Sequence, residues 1–160
     1  RAAERTFQLM RQVAGRAGRA ERPGTALLQT HQPDHPVIRA ILGGDEEAFW
    51  RAEAELRRAA RMPPFGRLAG LILSGTDLAA VLGHGEALAR NAEPLFAVGA
   101  EVWGPAPAPI ARVRGRHRIR LLVRADRAVP LQAALAAWTG ALPPPRGVRL
   151  AIDVDPQNFL

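Results

Sequence analysis

The second half of the sequence predicts an α+β domain whose strands and helices follow the order β-α-β-β-α-β. Three observations predict it. An uninterrupted apolar run lies near residue 70, two segments repeat apolar residues with a helical period of 3.6, and apolar and polar residues alternate in the last segment. The first 66 residues, in contrast, carry mainly helical signals.

In that first part, residues 4–13 favour a helix that ends at the glycine-arginine run 15–19. The apolar run 25–30 predicts a short buried strand. A short helix over 37–42 ends at two glycines. A longer helix over 45–61 begins with acidic residues and closes with arginines, the order that the helix dipole favours.

A boundary is expected at residues 62–66, because Pro63 and Pro64 cannot continue a helix. Beyond it, Asp77 can cap a helix and Pro130 fits the first turn of another. The predicted elements are a strand at 68–73, a helix at 78–92, a short strand at 101–103, an extended proline segment at 104–109, hairpin arms at 110–114 and 117–124, a helix from 130 to 142 and a strand at 148–154. This order is that of the ferredoxin-like fold, an antiparallel sheet with both helices on one face.

The composition excludes several classes of function. The 160 residues are 48% hydrophobic, which is enough for a real core, and none is cysteine, so disulfides, thiolate zinc sites and cysteine nucleophiles are excluded. All 22 basic residues are arginine, so no phosphate-binding loop with its lysine is present and the chain alone is not a P-loop ATPase. Neither a membrane span nor a secretory leader is visible, and the cytoplasm is the expected compartment. The chain opens at Arg1 directly in a helical pattern, which indicates a fragment.

The net charge of +7 favours a polyanionic partner, and the positive charge is concentrated in residues 110–127. In the second hairpin arm, Ile119, Leu121 and Val123 are expected to face the core, which places Arg118, Arg120 and Arg124 together on the other face. The hypothesis is that this arginine patch binds the phosphates of nucleic acid or the carboxylates of an acidic peptide; a merely solvated sheet face is the alternative. The DNA-binding candidates are Arg112, Arg114, Arg116, Arg118 and Arg120.

A second anion site is expected where arginines precede the helix at Pro130, because a helix N-terminus favours a carboxylate. Its candidates are Arg124, Arg127 and Gln132. Base stacking is not expected, since few aromatic residues lie near the patch and the three tryptophans, Trp50, Trp103 and Trp138, fit core positions.

The run from Gln12 to Arg19 contains two arginines three residues apart, each preceded by a glycine. Such planar, permanently charged donors suit a transferring phosphoryl group, although an ordinary surface turn has the same composition. Other candidates are weaker. His31 and His35 lie in a proline-bearing loop and predict no metal site. Asp153 and Asp155 are expected to be turn and surface residues before Pro156 rather than a catalytic carboxylate pair.

The pattern Gln-x-x-Gly-Arg-x-Gly-Arg resembles the last conserved motif of superfamily 2 helicases, and the whole chain resembles the C-terminal part of the PriA family of bacterial replication-restart helicases. The segments that carry the resemblance are 6–9, 12–19, 29–30, 35–38, 63–67, 104–109, 114–118, 152–157 and 159–160. They cover nearly the full chain in the order found in that family. Met62 departs from the pattern, where an aromatic residue often precedes the two prolines.

The resemblance implies three regions within a larger protein. Residues 1–42 would be the end of the second RecA-like helicase lobe, 43–66 a linking helix, and 67–160 a C-terminal domain similar to a ribosomal small-subunit protein. Arg16 and Arg19 would be arginine fingers for an ATP pocket encoded elsewhere, with Gln12, Gly15 and Gly18 coupling the nucleotide to DNA.

The same resemblance implies partners and cofactors. The full protein would be an ATP-dependent 3′-to-5′ DNA helicase with ATP, Mg and zinc, whereas this fragment would hold no cofactor and would not be catalytic alone. Its partners would be branched or forked DNA, the acidic C-terminal tail of the single-stranded DNA-binding protein SSB, and other primosome proteins, with no membrane contact and a monomeric state. The alternative is a freestanding nucleic-acid-binding module of ribosomal type without a motor, which would have no use for the motif at 12–19.

Overall fold

The structure is a computed structural model that describes residues 2–17 and 24–156. Two compact units divide the chain, Arg1–Leu56 and Arg57–Leu160. The helices are α1 Ala2–Ala14, α2 Pro36–Gly43, α3 Glu46–Ala59, α4 Leu78–Arg90, α5 Glu93–Phe96 and α6 Leu131–Ala141. The strands are β1 Gly66–Gly75, β2 Glu101–Val113, β3 Arg116–Asp126 and β4 Arg149–Val154.

The first unit is held together by a small aromatic cluster. The rings of Phe7 and Phe49 stack with centroids 4.2 Å apart, and Trp50 packs edge-on against both. Val37 is buried beside them, so α1, α2 and the start of α3 share one core. The end of α2 is set by Gly44, whose φ of 69° is the left-handed conformation that closes a helix without a Cβ penalty.

The expected strand at 25–30 is wrong. Residues 24–30 have no regular secondary structure, and Leu27 is 95% exposed. A strand needs a neighbour that pairs with its backbone groups, and every strand of the four-stranded sheet described here lies between residues 66 and 154.

The second unit confirms the predicted α+β plan. Its sheet is antiparallel throughout, with the order β2-β3-β1-β4, so β1 and β3 are central. Asp77 caps α4 by accepting hydrogen bonds from Ala79 N and Ala80 N at 2.8 and 3.3 Å. Alternate residues of β1 and β3 form one core with α4 and α6. Both long helices of this unit therefore cover the same face of the sheet. The other face, called the open face, carries exposed or half-buried side chains, apart from the buried Leu68 and Gly70.

One face of helix α6 is buried against the sheet and α4. Trp138 is fully buried, and its indole N–H donates to the Leu88 carbonyl of α4 at 3.1 Å. Leu131, Ala134 and Leu135 line the same side of α6, as their helical spacing predicts.

The proline segment differs from the expectation, because residues 104–109 belong to β2 instead of a separate polyproline stretch. Strand β2 lies at the sheet edge, where a missing N–H is tolerated. The ladder accommodates the prolines through two register shifts, which re-form pairing at Ala106 and again at Arg112. The hairpin turn is centred on Arg114 and Gly115, both with positive φ, one residue before its expected place. Among the described residues, no helix is long and apolar enough to cross a bilayer.

Candidate nucleic-acid interface

The open face of the sheet is organised in four rows, which follow from the strand registers. Directly paired residues of antiparallel strands point to the same side. From one end to the other, the rows are Arg149, Ser74 and Arg118; then Ala151, Ile72, Arg120 and Ala106; then Asp153, Gly70, Leu122 and Trp103; and finally Leu68, Arg124 and Glu101. We call the first two rows the basic end and the last row the closed end.

The basic end carries three arginines and no carboxylate. The side chains of Arg120 and Arg149 form neither a hydrogen bond nor an ion pair with any residue that the structure describes, and the Arg118 side chain only donates to the Ile110 carbonyl at 3.3 Å. Three guanidinium groups on one side of a sheet have no internal counter-charge here. The basic end is therefore suited to an external anion.

Arg116 lies at the margin of this face and is held in place. Its guanidinium donates to the carbonyls of Ser74 at 2.9 Å and Gly147 at 3.2 Å. Arg112 pairs with His117 and so shares the opposite side of the sheet, while Arg114 lies in the hairpin turn. The structure thus groups Arg116, Arg118 and Arg120 and separates Arg112 and Arg114 from them. A role of all five in DNA binding stays a prediction.

The closed end is neutralised by the chain's own acids. Arg124 forms an ion pair with Glu101 at 2.8 Å and donates to the Ala60 carbonyl at 2.9 Å. Arg61 bonds to Glu101 as well, and to Asp126 at 3.2 Å. Positive charge on the open face is consequently confined to the opposite end.

Trp103 is the site residue that sequence reasoning misplaced. It was expected in the core, yet it is 41% exposed on the open face, paired with Leu122. The guanidinium carbon of Arg124 lies 4.7 Å from its ring centroid. The sequence predicts a strand of only three residues at 101–103. This is too short to determine on which face of the sheet the Trp103 indole lies. Arg149 is a second site residue that the sequence does not single out. The alternation in β4 is visible only in its apolar residues, and Arg149 is not one of them.

The three residues proposed for a carboxylate site do not converge. Arg124 lies on the open face, away from the helices, and is bonded to Glu101. Arg127 is exposed in the turn after β3, and Gln132 is exposed in the first turn of α6. Arg127 and Gln132 flank the start of α6, and their role in binding a carboxylate stays a prediction.

The glycine-arginine motif lies at the end of α1. Gln12, Gly15 and Arg16 are exposed, and the Arg16 N–H continues the helical bonding by donating to the Val13 carbonyl at 3.1 Å. Gly18 and Arg19 lie outside the described residues. Gln12 lies in the last turn of α1, and Arg16 lies in the turn that follows the helix.

The remaining polar candidates are structural. His35 caps α2, its Nδ1 accepting from Val37 N at 3.2 Å. Asp155 accepts from Arg67 Nε and Leu68 N, both at 2.9 Å, and so fastens the end of β4 to β1, while Asp153 is exposed. In the parts of the chain that the structure describes, no three His, Asp or Glu residues are grouped as metal ligands would be.

Comparison with known families decides the identity. Residues 58–157 match the family model described as the primosomal protein N C-terminal domain. The chain belongs to this family. The PriA-like resemblance of the sequence is therefore confirmed, and the match begins close to the division between the two units at residue 57.

The similarity to PriA proteins extends beyond that domain. The replication restart protein PriA of Rickettsia felis is 38% identical over 159 residues, which is 99% of this chain and 24% of that protein. The Synechocystis protein of the same name is 39% identical over 159 residues, 99% of this chain and 19% of its own length. That of Bacillus subtilis is 35% identical over 135 residues, 84% of this chain and 17% of its own length. The chain thus spans about a quarter or less of these relatives.

Proposed function

We propose that this chain is the DNA-binding C-terminal region of a replication restart protein and that the basic end of the open face contacts the DNA backbone. The observation that carries the proposal is the grouping of Arg118, Arg120 and Arg149 at one end of the sheet face opposite to α4 and α6. The PriA relatives are named for replication restart, a process that acts on DNA.

The chemistry of the basic end fits phosphate. Guanidinium groups are always charged and offer planar pairs of donors to phosphate oxygens. Because DNA carries a dense line of phosphates, several arginines on one surface release condensed counterions together, and this drives binding. Isolated surface arginines gain little from single acidic side chains, so a polyanion is the better match for a group of three.

The test is a titration of the 160-residue chain with fork DNA, comparing the natural chain with Arg118→Ala/Arg120→Ala. We expect the double variant to bind at least tenfold more weakly at moderate salt. The charge-matched control is Arg51→Ala/Arg90→Ala, which removes two arginines that are paired one turn away on helices with Glu47 and Glu86. If both double variants lose the same affinity for fork DNA, binding depends on net charge alone and the proposal is overturned.

The motif at the end of α1 is assigned to the motor of the full protein. In this proposal the whole molecule is an ATP-dependent 3′-to-5′ DNA helicase that binds ATP with Mg, and zinc, in regions preceding this chain. Gln12 and Arg16 would face the nucleotide between the two lobes, and Arg19 would be the second arginine finger. The support is the exposure of Gln12 and Arg16 on successive turns at the end of α1.

The SSB tail and other primosome proteins are the proposed protein partners. The exposed pair Arg127 and Gln132 supports a contact with the carboxylates of the tail, independent of the open face. An SSB C-terminal peptide should bind the chain and lose affinity in Arg127→Ala, while Arg118→Ala/Arg120→Ala should leave its affinity unchanged. If Arg118→Ala/Arg120→Ala weakens binding of the peptide and Arg127→Ala does not, the tail site is misassigned.

A further inference from the structure

We infer that Trp103 stacks on an unpaired base, so that the open face takes a single strand in preference to duplex DNA. The inference rests on the proposed function, since it places a base beside the phosphates held at the basic end. It is argued from a separate observation. The indole of Trp103 is exposed, and it lies beside the boundary between the basic end and the row that contains Asp153.

The indole is fixed before any ligand arrives. One side of its ring is covered by the guanidinium of Arg124, which Glu101 and the Ala60 carbonyl hold from two directions. A cation over an aromatic face is attractive and restricts the ring. With 41% of Trp103 still exposed, a preordered aromatic surface remains for a second planar group.

The neighbours of Trp103 extend that surface. Half-buried Leu122 is paired with it, and half-buried Ile72 lies in the row above, beside Arg120. Successive rows are roughly 6.6 Å apart, because each strand residue rises about 3.3 Å. Trp103 and Leu122 therefore adjoin the arginines closely enough for a single nucleotide to bridge the two.

Charge assigns the base and the phosphate to different rows. Asp153 lies exposed in the row of Trp103, and Glu101 lies in the next row, where it is paired. The exposed carboxylate of Asp153 repels a phosphate backbone, the paired Glu101 leaves no free positive charge at the closed end, and the basic end attracts the backbone. The backbone is thereby directed over Arg118 and Arg120, with a base turned toward Trp103.

A duplex cannot use this arrangement without opening. Its bases are stacked on one another, and taking one out costs a few kcal/mol. An unpaired base has a free π face, and stacking on an aromatic side chain is favourable whatever the base. An acidic peptide could also meet the arginines, but it supplies no planar group for the indole.

The experiment titrates the 160-residue chain with oligothymidylate and with a blunt duplex of equal length. We expect Trp103→Ala to weaken single-strand binding about 5- to 100-fold, the range for loss of one stacked base, and to change duplex binding less than twofold. Trp103→Phe should retain part of the affinity. Tryptophan fluorescence should be quenched by oligothymidylate in the natural chain and in Trp50→Phe, but not in Trp103→Phe.

The outcomes separate the two levels of the proposal. If Arg118→Ala/Arg120→Ala weakens DNA binding while Trp103→Ala changes the affinity for neither oligothymidylate nor the duplex, the backbone contact stands and the stacking inference is overturned. Equal losses of both DNAs in Trp103→Ala also overturn it. If an acidic peptide, and not oligothymidylate, quenches Trp103, the occupant is a protein and the inference fails. Circular dichroism and thermal unfolding of each variant exclude loss of the fold as the cause.

Discussion

The guanidinium of Arg124 lies over the indole of Trp103, 4.7 Å from the ring centroid, while the same group is paired with Glu101 at 2.8 Å. An arginine that the sequence offers as an anion ligand is thus committed to the protein itself. This contact closes one end of the open face and holds Trp103 in the row next to that end. The face consequently has a basic end, a neutral end and, between them, a row that contains Trp103, Leu122 and Asp153.

Removal of Arg124 tests that relationship. Arg124→Ala should lower the free energy of unfolding by about 1 kcal/mol, the sum of a partly exposed cation–π contact and an ion pair. It should also free the indole, so that acrylamide quenches Trp103 fluorescence more efficiently. Arg124→Lys should restore part of both. Unchanged quenching in Arg124→Ala would mean that Trp103 is held by other contacts.

The core side of the sheet should respond differently from the open side. Leu71 and Leu121 are directly paired and fully buried under the helices. Leu121→Ala should cost about 2–5 kcal/mol in urea unfolding, as expected for a leucine truncated in a packed core. Leu122→Ala, one residue along on the open face, should cost clearly less. Equal costs would contradict the assignment of the two faces.

His84 predicts a pH dependence of stability. The residue is buried in α4, and burial lowers the pKa of its imidazole below the ordinary value of 6.5. Since the folded chain holds the proton less firmly than the unfolded chain, the stabilising difference is complete above pH 6.5 and is lost as the pH falls below it. The urea midpoint should therefore drop between about pH 7.5 and about pH 5.5.

The matched variants isolate this contribution. His84→Leu should flatten the pH dependence over that interval, while His31→Leu, at an exposed loop position, should keep it. The same slope in the natural chain and in His84→Leu would assign the pH dependence to other groups.

The glycine-arginine motif makes a prediction for the full-length protein. Arg16→Ala should reduce ATP turnover by a factor on the order of 10³ or more, the magnitude typical of arginine fingers. Arg5→Ala, an exposed arginine earlier in α1, should leave turnover near normal. Normal turnover in Arg16→Ala would remove the finger assignment.

The fold of the second unit could be predicted because its signals are local and agree with one another. The periodicity of residues 131–138 predicts α6, Asp77 predicts the start of α4, and the alternation around Leu121 predicts the core side of β3. Pairing in the sheet then follows from the β-α-β-β-α-β order. The prediction of a strand at 25–30 is wrong because a strand depends on a pairing neighbour, which the local composition does not reveal.

The candidate site was predictable only in part. Alternation correctly places Arg118 and Arg120 on one face, because β3 has a regular ladder with β1. It cannot place Arg112 or Trp103, because β2 changes register twice around its prolines. The pairing of Arg124 with Glu101 joins residues 23 positions apart and has no local signature.

The salt dependence of single-strand binding tests the open face most directly. The logarithm of the association constant for oligothymidylate should be plotted against the logarithm of salt concentration for the natural chain, Arg118→Ala/Arg120→Ala and Arg51→Ala/Arg90→Ala. If each arginine of the basic end neutralises one phosphate, the open-face variant should lose roughly 1.4 from the magnitude of the slope. The helix variant should keep the natural slope. An unchanged slope in Arg118→Ala/Arg120→Ala would show that the basic end does not hold the DNA.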